Sequence, residues 1–236
     1  LLHEPWSVNK KEGGFYKVYS PFWRVVSKMT VPSLIDAPKK CLSSPIKLKS
    51  ENLSDWQLDK DLSRSKKILG RFVNVGENAA NERLDYFLKN TVSSYEQDRD
   101  MIFLNGTSRL SENLTYGEIS PWRIWHRATQ SISGSNSGIE KFLKELVWRD
   151  FAWSLAYNTP HILHSNWKVE WNHFPWRGPN KDSELWCRGM TGEPLVDAGM
   201  RELYTTGTMH NRVRMIVASY LTKHLLTDWR VGQEWF

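Results

Sequence analysis

The sequence predicts a mainly α-helical fold, and three observations support this. Apolar residues recur at steps of three and four from about residue 76 onward, few alternating patterns follow that point, and no internal repeat is found. The chain has 236 residues, of which 40% are hydrophobic and 25% charged. That is ordinary globular composition and enough for a sizeable core, so wholesale disorder is excluded.

The first seventy residues predict little helix. Pro5, Gly13, Gly14 and Pro21 surround short aromatic pieces in the first thirty residues, which indicates loop and extended chain. Residues 31–70 hold three further prolines and a run of lysines, which is typical of a polar connector with little capacity for a core.

Four stretches after residue 76 carry the helical period. Their apolar positions are Ala80, Leu84, Phe87 and Leu88; Ile139, Phe142, Leu143, Leu146, Val147 and Phe151; Leu195, Ala198, Met200 and Leu203; and Val213, Ile216, Val217, Tyr220, Leu221 and Leu225. We therefore expect the body of the protein, residues 71–236, to be helical.

Charge and composition bound the function only loosely. A net charge of +6 weakly favours a polyanionic partner, and 13 Trp favour either stacking on flat rings or a Trp-rich core. Cys41 and Cys187 form neither a disulfide framework nor a metal motif, which favours a reducing, intracellular setting. No apolar run is long enough for a membrane span. Because the chain begins at Leu1 and ends in an apolar stretch at Phe236, we interpret it as a fragment.

Residues 106–111 could bind an anion. Thr107, Ser108 and Ser111 supply hydroxyls and Arg109 a guanidinium, just before a helical pattern. Main-chain amides at such a turn can hold a phosphate while the guanidinium grips it. A plain helix cap by Thr107 or Ser108 explains the same composition.

Two helix faces could bind a flat ring. Glu145, Trp148 and Arg149 are spaced to share one face, with an acid that can accept from ring N–H groups beside an indole. The alternative is a surface ion pair beside a half-buried Trp.

The second face belongs to the last long helix. Asn211 and Met215 lie one turn apart there, and Arg212 or Arg214 could reach phosphate, although a polar helix entry with exposed arginines fits equally. His161 and His164 lack the glutamate and the helix register of a zinc motif, so no metal is expected.

Six segments occur in an order that resembles the photolyase/cryptochrome family, most closely its bacterial cyclobutane pyrimidine dimer photolyases. They are Tyr95-Glu-Gln-Asp-Arg99, Gly106-Thr-Ser-Arg-Leu-Ser111, Glu145-Leu-Val-Trp-Arg-Asp150, Thr191-Gly-Glu-Pro-Leu-Val-Asp-Ala-Gly-Met200, Met209-His-Asn-Arg-Val-Arg-Met215 and Leu225-Leu-Thr-Asp-Trp-Arg230. The resemblance implies the end of an α/β antenna domain at residues 1–30, an interdomain linker at 31–70, and the first part of a helical FAD-binding domain at 71–236.

The resemblance also implies a mechanism. Reduced FAD, excited by blue light, would give an electron to a pyrimidine dimer flipped out of damaged DNA, so that the cyclobutane ring splits. The partner is then dimer-containing DNA. The family further implies a second antenna chromophore of folate or deazaflavin type, a monomer, and a bacterial, cytoplasmic location without membrane attachment.

Site residues carry over position by position. The resemblance assigns FAD contacts to Tyr95, Thr107, Ser108, Arg109, Leu110, Ser111, Phe142, Arg149 and Arg214. It assigns the lesion pocket to Glu145, Trp148, Asn211, Arg212 and Met215, and DNA phosphates to Arg99 and Arg212. It makes Trp176 and Trp229 the outer and middle members of an electron-transfer chain, with Trp186 a family tryptophan outside that chain.

Departures from the family pattern bear on these expectations. Thr208 stands where many relatives have Trp, and Phe142 where some do. The proximal tryptophan and several flavin contacts of the family would lie beyond Phe236, so we expect these 236 residues alone to bind FAD poorly and to be inactive.

Two other functions stay open. A cryptochrome photoreceptor without repair activity is the alternative within the family. Asn211 and Met215, where (6-4) photolyases carry His, favour the cyclobutane dimer as substrate. Outside the family, a basic Trp-rich protein that binds single strands would fit the composition.

Overall fold

The computed structural model describes residues 1–40, 49–58, 60–131 and 137–236. Its α-helices are α1 Tyr19–Val26, α2 Ser63–Leu69, α3 Glu77–Asn90, α4 Tyr95–Asp98, α5 Ser111–Thr115, α6 Pro121–Gln130, α7 Ser137–Asn158, α8 Lys181–Cys187, α9 Pro194–Thr206, α10 Asn211–Ser219 and α11 Trp229–Trp235. The described residues form no sheet, and their one isolated bridge pairs Arg177 with Thr227. The mainly α-helical prediction is confirmed.

Short tighter or wider turns connect these helices. The 3₁₀ turns are Pro5–Ser7, Leu53–Trp56, Lys60–Leu62, Val92–Ser94, Pro160–Leu163 and Val169–His173, and a π turn spans Tyr220–His224. None of the helices in the described ranges combines the length with the apolar character that a membrane span requires.

Helix α7 is the axis of the larger core. Its predicted apolar positions are all buried, because their spacing of three and four places them on the side that faces its neighbours. Helices α1, α4 and α6 and the turns Pro5–Ser7 and Val92–Ser94 pack around it. At 22 residues the helix is about 33 Å long, and it buries one face along most of that length while other residues remain available to a site.

The expectation of loop and extended chain in the first thirty residues is wrong at α1. Pro21 lies in the first turn of this helix, where main-chain N–H groups have no partner within the helix, so the proline removes no hydrogen bond. Phe22 and Val26 are buried in the same cluster as Phe151 of α7. The prolines that suggested a break are therefore compatible with a short amphipathic helix.

Asp150 of α7 holds the start of the chain. Its carboxylate accepts hydrogen bonds from the main-chain nitrogens of Leu2 and His3, with the closest oxygen at 2.9 Å from each. Burial is the main influence on this carboxyl and raises its pKa, against the effect of the two hydrogen bonds. Residues 1–31 thus contribute to the same core as α7, while the predicted division into domains stays a prediction.

The connector predicted at 31–70 is not wholly without structure. Helix α2 lies within it and packs against α9, where Leu69 lies close to Gly207. Pro45 and Cys41 fall outside the described residues.

A second, smaller core is formed by α8, α9, α10 and the π turn that follows α10. Trp186 is fully buried there and donates its indole N–H to the carbonyl oxygen of Val217 at 3.0 Å, which bears out a core role for this tryptophan. Helix α9 is present as expected, but its buried face includes Val196 and Gly199, while Leu195 and Ala198 are exposed. Gly199 is needed because a Cβ there would lie 2.2 Å from Cγ1 of Val213, so α9 and α10 make their closest approach at this point.

Candidate functional site

One cavity brings together several of the predicted segments. It has a volume of about 560 Å³, within the range of ligand pockets. From the predicted set its walls include Tyr95, Arg99, Thr107, Ser108, Arg109, Leu110, Ser111, Glu145 and Asn211. Residues distant in sequence, from α4, α7, the start of α10 and the turn before α5, therefore face one space.

The turn at residues 106–111 has a backbone built for close approach. A Cβ at Gly106 would lie 2.9 Å from the carbonyl oxygen of Asp98, so only glycine fits. Arg109 has a φ of 50°, a left-handed conformation that non-glycine residues seldom adopt. The main-chain N–H groups of Thr107 and Ser108 donate to nothing in the described part of the chain. They are free to bind an anion.

The helix-cap alternative for this turn is wrong. The residue at the N-cap of α5 is Leu110, and no side chain caps the helix. The hydroxyls of Thr107 and Ser108 are accordingly left available for a ligand. This observation favours the anion-binding interpretation of the turn.

Arg99 and Glu145 form a short ion pair in the wall of the cavity, and Lys141 lies 3.8 Å from the same carboxylate. Burial is the largest single influence on Arg99 and lowers the pKa of the guanidinium, but the hydrogen bond to Glu145 and the nearby acidic groups together outweigh it, so the pKa is raised. Glu145 therefore pairs with a residue 46 positions away in the chain and not with its neighbour Arg149. The pair fixes the carboxylate where it can accept a further hydrogen bond.

Tyr95 lines the cavity over a buried aromatic layer. Its ring packs edge-on against Phe142, with 5.8 Å between the two ring centroids. The guanidinium of Arg99 lies 5.6 Å from the centroid of the Tyr95 ring. Burial raises the pKa of Tyr95 to about 12, so its hydroxyl is protonated at neutral pH. Phe142 itself is buried behind Tyr95 and is not part of the cavity wall.

The start of α10 gathers the second group of predicted residues. Nδ1 of His210 accepts a hydrogen bond from the main-chain nitrogen of Arg212 and so caps the helix. The amide of Asn211 and the guanidinium of Arg212 both approach the sulfur of Met215, at 3.9 and 3.8 Å. The polar side chain of Asn211 and the apolar side chain of Met215 thus lie next to each other, as their spacing predicts.

Arg212 is held by an acid that sequence reasoning missed. Asp100 accepts from Nε and Nη2 of Arg212 at 2.8 and 2.7 Å, and it also lies 3.3 Å from Nε of Arg99. The hydrogen bond from Arg212 is the main reason that the pKa of Asp100 lies below its ordinary value. A bidentate pair fixes the plane of the guanidinium, and 42% of the Arg212 side chain stays exposed.

Trp148 lies one turn after Glu145 on α7 and is 44% exposed. It is not part of the cavity wall. Its indole stacks on the ring of Tyr19 with centroids 3.8 Å apart, and Phe151 meets it edge-on at 5.6 Å. Tyr19 is another residue that sequence reasoning missed, because it lies in the segment that was expected to be loop.

Two predicted flavin contacts, Arg149 and Arg214, lie outside the cavity wall but carry unusual guanidinium groups. Nη1 of Arg149 is buried and has no hydrogen-bond partner in the described structure. Arg214 is half-buried, burial lowers its pKa, and its guanidinium lies 4.8 Å from the ring centroid of Phe236. A buried nitrogen without a partner is costly, so the guanidinium of Arg149 fits the binding of an anionic ligand.

Trp176 and Trp229 lie beside the one isolated bridge of the described chain. Arg177 pairs with Thr227 there, so the segments that carry the two tryptophans run side by side. The indole N–H of Trp176 donates to the carbonyl oxygen of Trp171 at 3.0 Å, and that of Trp229 donates to Asn166 at 2.8 Å. Each of the two rings is therefore fixed by its own hydrogen bond.

The described residues contain no group of three His, Cys, Asp or Glu side chains that could hold a metal ion. His161 and His164 lie in and directly after the turn Pro160–Leu163.

Comparisons with known proteins agree with these observations. The family model described as the FAD binding domain of DNA photolyase matches residues 142–236. A deoxyribodipyrimidine photo-lyase of Agrobacterium fabrum is 45% identical over 239 residues, which cover 100% of this chain and 50% of that relative.

Two solved structures share the fold. A bacterial class III photolyase from Agrobacterium tumefaciens superimposes with a TM-score of 0.93 and 44% identity, over 100% of this chain and 49% of that one. A cryptochrome of Synechocystis sp. superimposes with a TM-score of 0.82 and 32% identity, over 100% of this chain and 50% of that one. The chain spans about half the length of the relatives it matches.

Proposed function

Since this chain belongs to the photolyase/cryptochrome family, we propose that the full-length protein binds FAD and uses blue light to split cyclobutane pyrimidine dimers in DNA. The observation that carries the proposal is the single cavity between the turn at residues 107–111, Glu145 and Asn211. One end of this cavity can bind an anion. The other end has hydrogen-bonding groups that can bind the edge of a flat ring.

The anion-binding end would hold the pyrophosphate of FAD. Hydroxyls and unpartnered amides of residues 107–111 would bind its oxygens, and the unsatisfied guanidinium of Arg149 together with Arg214 would balance its charge. Tyr95, with Phe142 behind it, would give the cofactor an aromatic wall. When bound and reduced, FAD would supply the photoexcited electron that opens the cyclobutane ring.

The other end would receive the flipped lesion. Glu145, paired with Arg99, would accept hydrogen bonds from pyrimidine N–H groups, and Asn211 would bind the polar ring edge. Trp148 would stack on the dimer and Met215 would fill the apolar side beside Asn211. Arg99 and Arg212 are the proposed contacts for DNA phosphates.

Other features of the proposal concern parts of the protein outside the cavity. Trp176 and Trp229, with indole N–H groups bonded to neutral oxygen atoms, would relay electrons toward the flavin. A second chromophore of folate or deazaflavin type, a monomeric state and a cytoplasmic location follow from the family and belong to the same proposal.

Repair under blue light tests the proposal. The full-length protein, with its flavin content measured, is incubated with a duplex that carries one thymine dimer, in the light and in the dark. We expect restored thymines only in the light. Flavin-loaded protein that leaves the dimer intact under blue light would contradict the proposal and favour the cryptochrome alternative, which the similarity to the Synechocystis cryptochrome supports.

A matched pair of tryptophans sharpens the test. Trp148→Ala is expected to weaken binding of the dimer-containing duplex by about tenfold, because a stacking wall is lost. Trp153 lies on the same helix and is 54% exposed, but its position five residues further on places it on another face. Trp153→Ala is expected to bind and repair as the wild type does.

A further inference from the structure

We propose that Tyr19 is a positioning residue that holds the indole of Trp148 in the plane in which it stacks on the damaged base. This inference rests on the function proposed above. The two rings are stacked with centroids 3.8 Å apart and an angle of 7° between their planes. Among the ring pairs of the described residues, this pair is the closest and the most nearly parallel.

Tyr19 is itself fixed at both ends. Its hydroxyl donates to the carbonyl oxygen of Lys144 at 2.6 Å, one turn before Trp148 on α7. The edge of its ring packs on Phe151 at 5.8 Å, and Phe151 also contacts Trp148. Burial, with a further contribution from the charge of Glu145, raises the pKa of Tyr19, so the phenol keeps the proton that it donates. Tyr19, Trp148 and Phe151 therefore form a closed triangle of rings.

Besides the edge-on contact with Phe151, the stack on Tyr19 is the ring contact that orients Trp148 in the described structure. Its indole N–H makes no hydrogen bond within the described structure, and 44% of the residue is exposed. An indole on a helix surface without such contacts would sample several rotamers, and ordering it on binding would cost free energy. The stack removes that cost, because Tyr19 holds the ring in place before the ligand arrives.

The stack leaves room for a second ring. Tyr19 covers one face of the indole and 44% of Trp148 stays exposed, so the inference places the pyrimidine on the face opposite Tyr19. Offset parallel stacking is a favoured arrangement for aromatic rings, so the plane that Tyr19 sets is also the plane that a base would adopt. Tyr19 acts through Trp148 and need not touch the lesion.

The test uses the full-length, flavin-loaded protein and compares Tyr19→Leu with the wild type at one fixed ionic strength. Dissociation constants are measured in the dark for a dimer-containing duplex and for the same duplex without damage, and repair per absorbed photon is measured at saturating DNA. We expect Tyr19→Leu to weaken dimer binding by about three- to tenfold. Binding of undamaged DNA and flavin content are expected to stay at the wild-type level.

Three further variants separate positioning from a purely structural role. Tyr19→Phe keeps the stacked ring and loses the bond to Lys144, and it should restore dimer binding to within about twofold of the wild type. Tyr19→Met keeps apolar volume without a flat ring, so it replaces Tyr19→Leu if that variant does not fold. Tyr157→Leu, which removes the tilted ring that contacts Trp6 near the end of the same helix, should not change dimer binding.

The outcomes are distinguishable. If the wild type repairs dimers and the leucine and methionine variants discriminate damaged DNA as well as it does, only this inference fails. It also fails if these variants lose damaged DNA, undamaged DNA and flavin to the same extent. If the wild type itself binds flavin but neither prefers nor repairs dimers, the proposed function fails together with the inference.

Discussion

Arg83 of α3 donates a hydrogen bond from Nη1 to the main-chain carbonyl oxygen of Arg109 at 2.6 Å. The same nitrogen contacts Oδ1 of Asn113 at 2.9 Å, and it also pairs with Glu112. Arg109 has the left-handed backbone of the turn at residues 106–111, and Asn113 and Glu112 belong to α5. One guanidinium therefore ties a strained turn to α3 and α5.

Removing this guanidinium should weaken flavin binding. In the full-length protein, Arg83→Met is expected to raise the dissociation constant for FAD by about tenfold, because a charged hydrogen bond that orders the turn is lost. Titration of the apoprotein with FAD measures the change. Arg123→Met, which removes a partly exposed arginine paired with Glu77, is the control and should leave the affinity unchanged. Equal affinities for both variants would contradict the prediction.

Gly106→Ala should displace the same turn by a different route. Its Cβ would lie 2.9 Å from the carbonyl oxygen of Asp98 and 3.0 Å from the Cβ of Asp98, so the backbone must move. We expect a loss of about 1–3 kcal/mol in the free energy of unfolding together with a lower flavin content. Gly178→Ala meets nothing within 4 Å and should change neither quantity, as urea denaturation and absorbance of the flavin would show.

The contact between α9 and α10 predicts a coupled pair of substitutions. Gly199→Ala would place a Cβ 2.2 Å from Cγ1 of Val213, and should cost about 1–3 kcal/mol of unfolding free energy. Val213→Ala removes the clashing methyl group at its own cost. The double variant should therefore be less destabilised than the sum of the single ones. A sum that is strictly additive would show that the helices do not meet at this point.

The stability of the protein should depend on pH through Asp197. Burial raises the pKa of this carboxyl, but hydrogen bonds from the side chain and main chain of Thr191 and from the amide of Gly192 outweigh burial and keep the pKa below its ordinary value of 3.8. The stabilisation is then fully present above the unfolded-state pKa and is lost as the pH falls through the folded-state value.

Asp197→Asn tests that direction. The variant should be less stable than the wild type by about 1–2 kcal/mol at pH 6, since it cannot accept from both Thr191 and Gly192 as a carboxylate does. The difference should shrink as the pH falls below about 4, where the carboxyl of the unfolded chain becomes protonated, and should be lost once the pH passes the lower folded-state pKa. Urea denaturation at several pH values measures it, and a difference that grew toward low pH would have the wrong sign.

The parts that the sequence could predict are those with a local pattern. The period of apolar residues in α7 and α3 identified their buried faces, because burial on a helix follows a fixed repeat. The turn at residues 106–111 was identified from residue types that bind anions. Helix α1 lacks such a pattern, because Pro5, Gly13, Gly14 and Pro21 together predict loop and extended chain, although a proline in the first turn of a helix is tolerated.

Contacts between distant segments had no local signal. Tyr19 reaches Trp148 and Asp100 reaches Arg212 across more than a hundred residues, and neither pair has a spacing that predicts the contact. The buried, unpartnered Nε2 of His210, which lines the cavity, is equally without a signal in the sequence.

The length of α7 before Glu145 has a consequence for how this chain can vary. One helix carries Phe142, Glu145 and Trp148 on the same continuous spiral as its buried apolar residues. Inserting or deleting a single residue between Ile139 and Glu145 would rotate everything beyond it by about 100° relative to the preceding turn. Glu145 and Trp148 would then both point away from the site, and the apolar face of α7 would no longer match the residues it packs against. Natural variants of this stretch should accordingly differ in residue type at exposed positions but have the same number of residues.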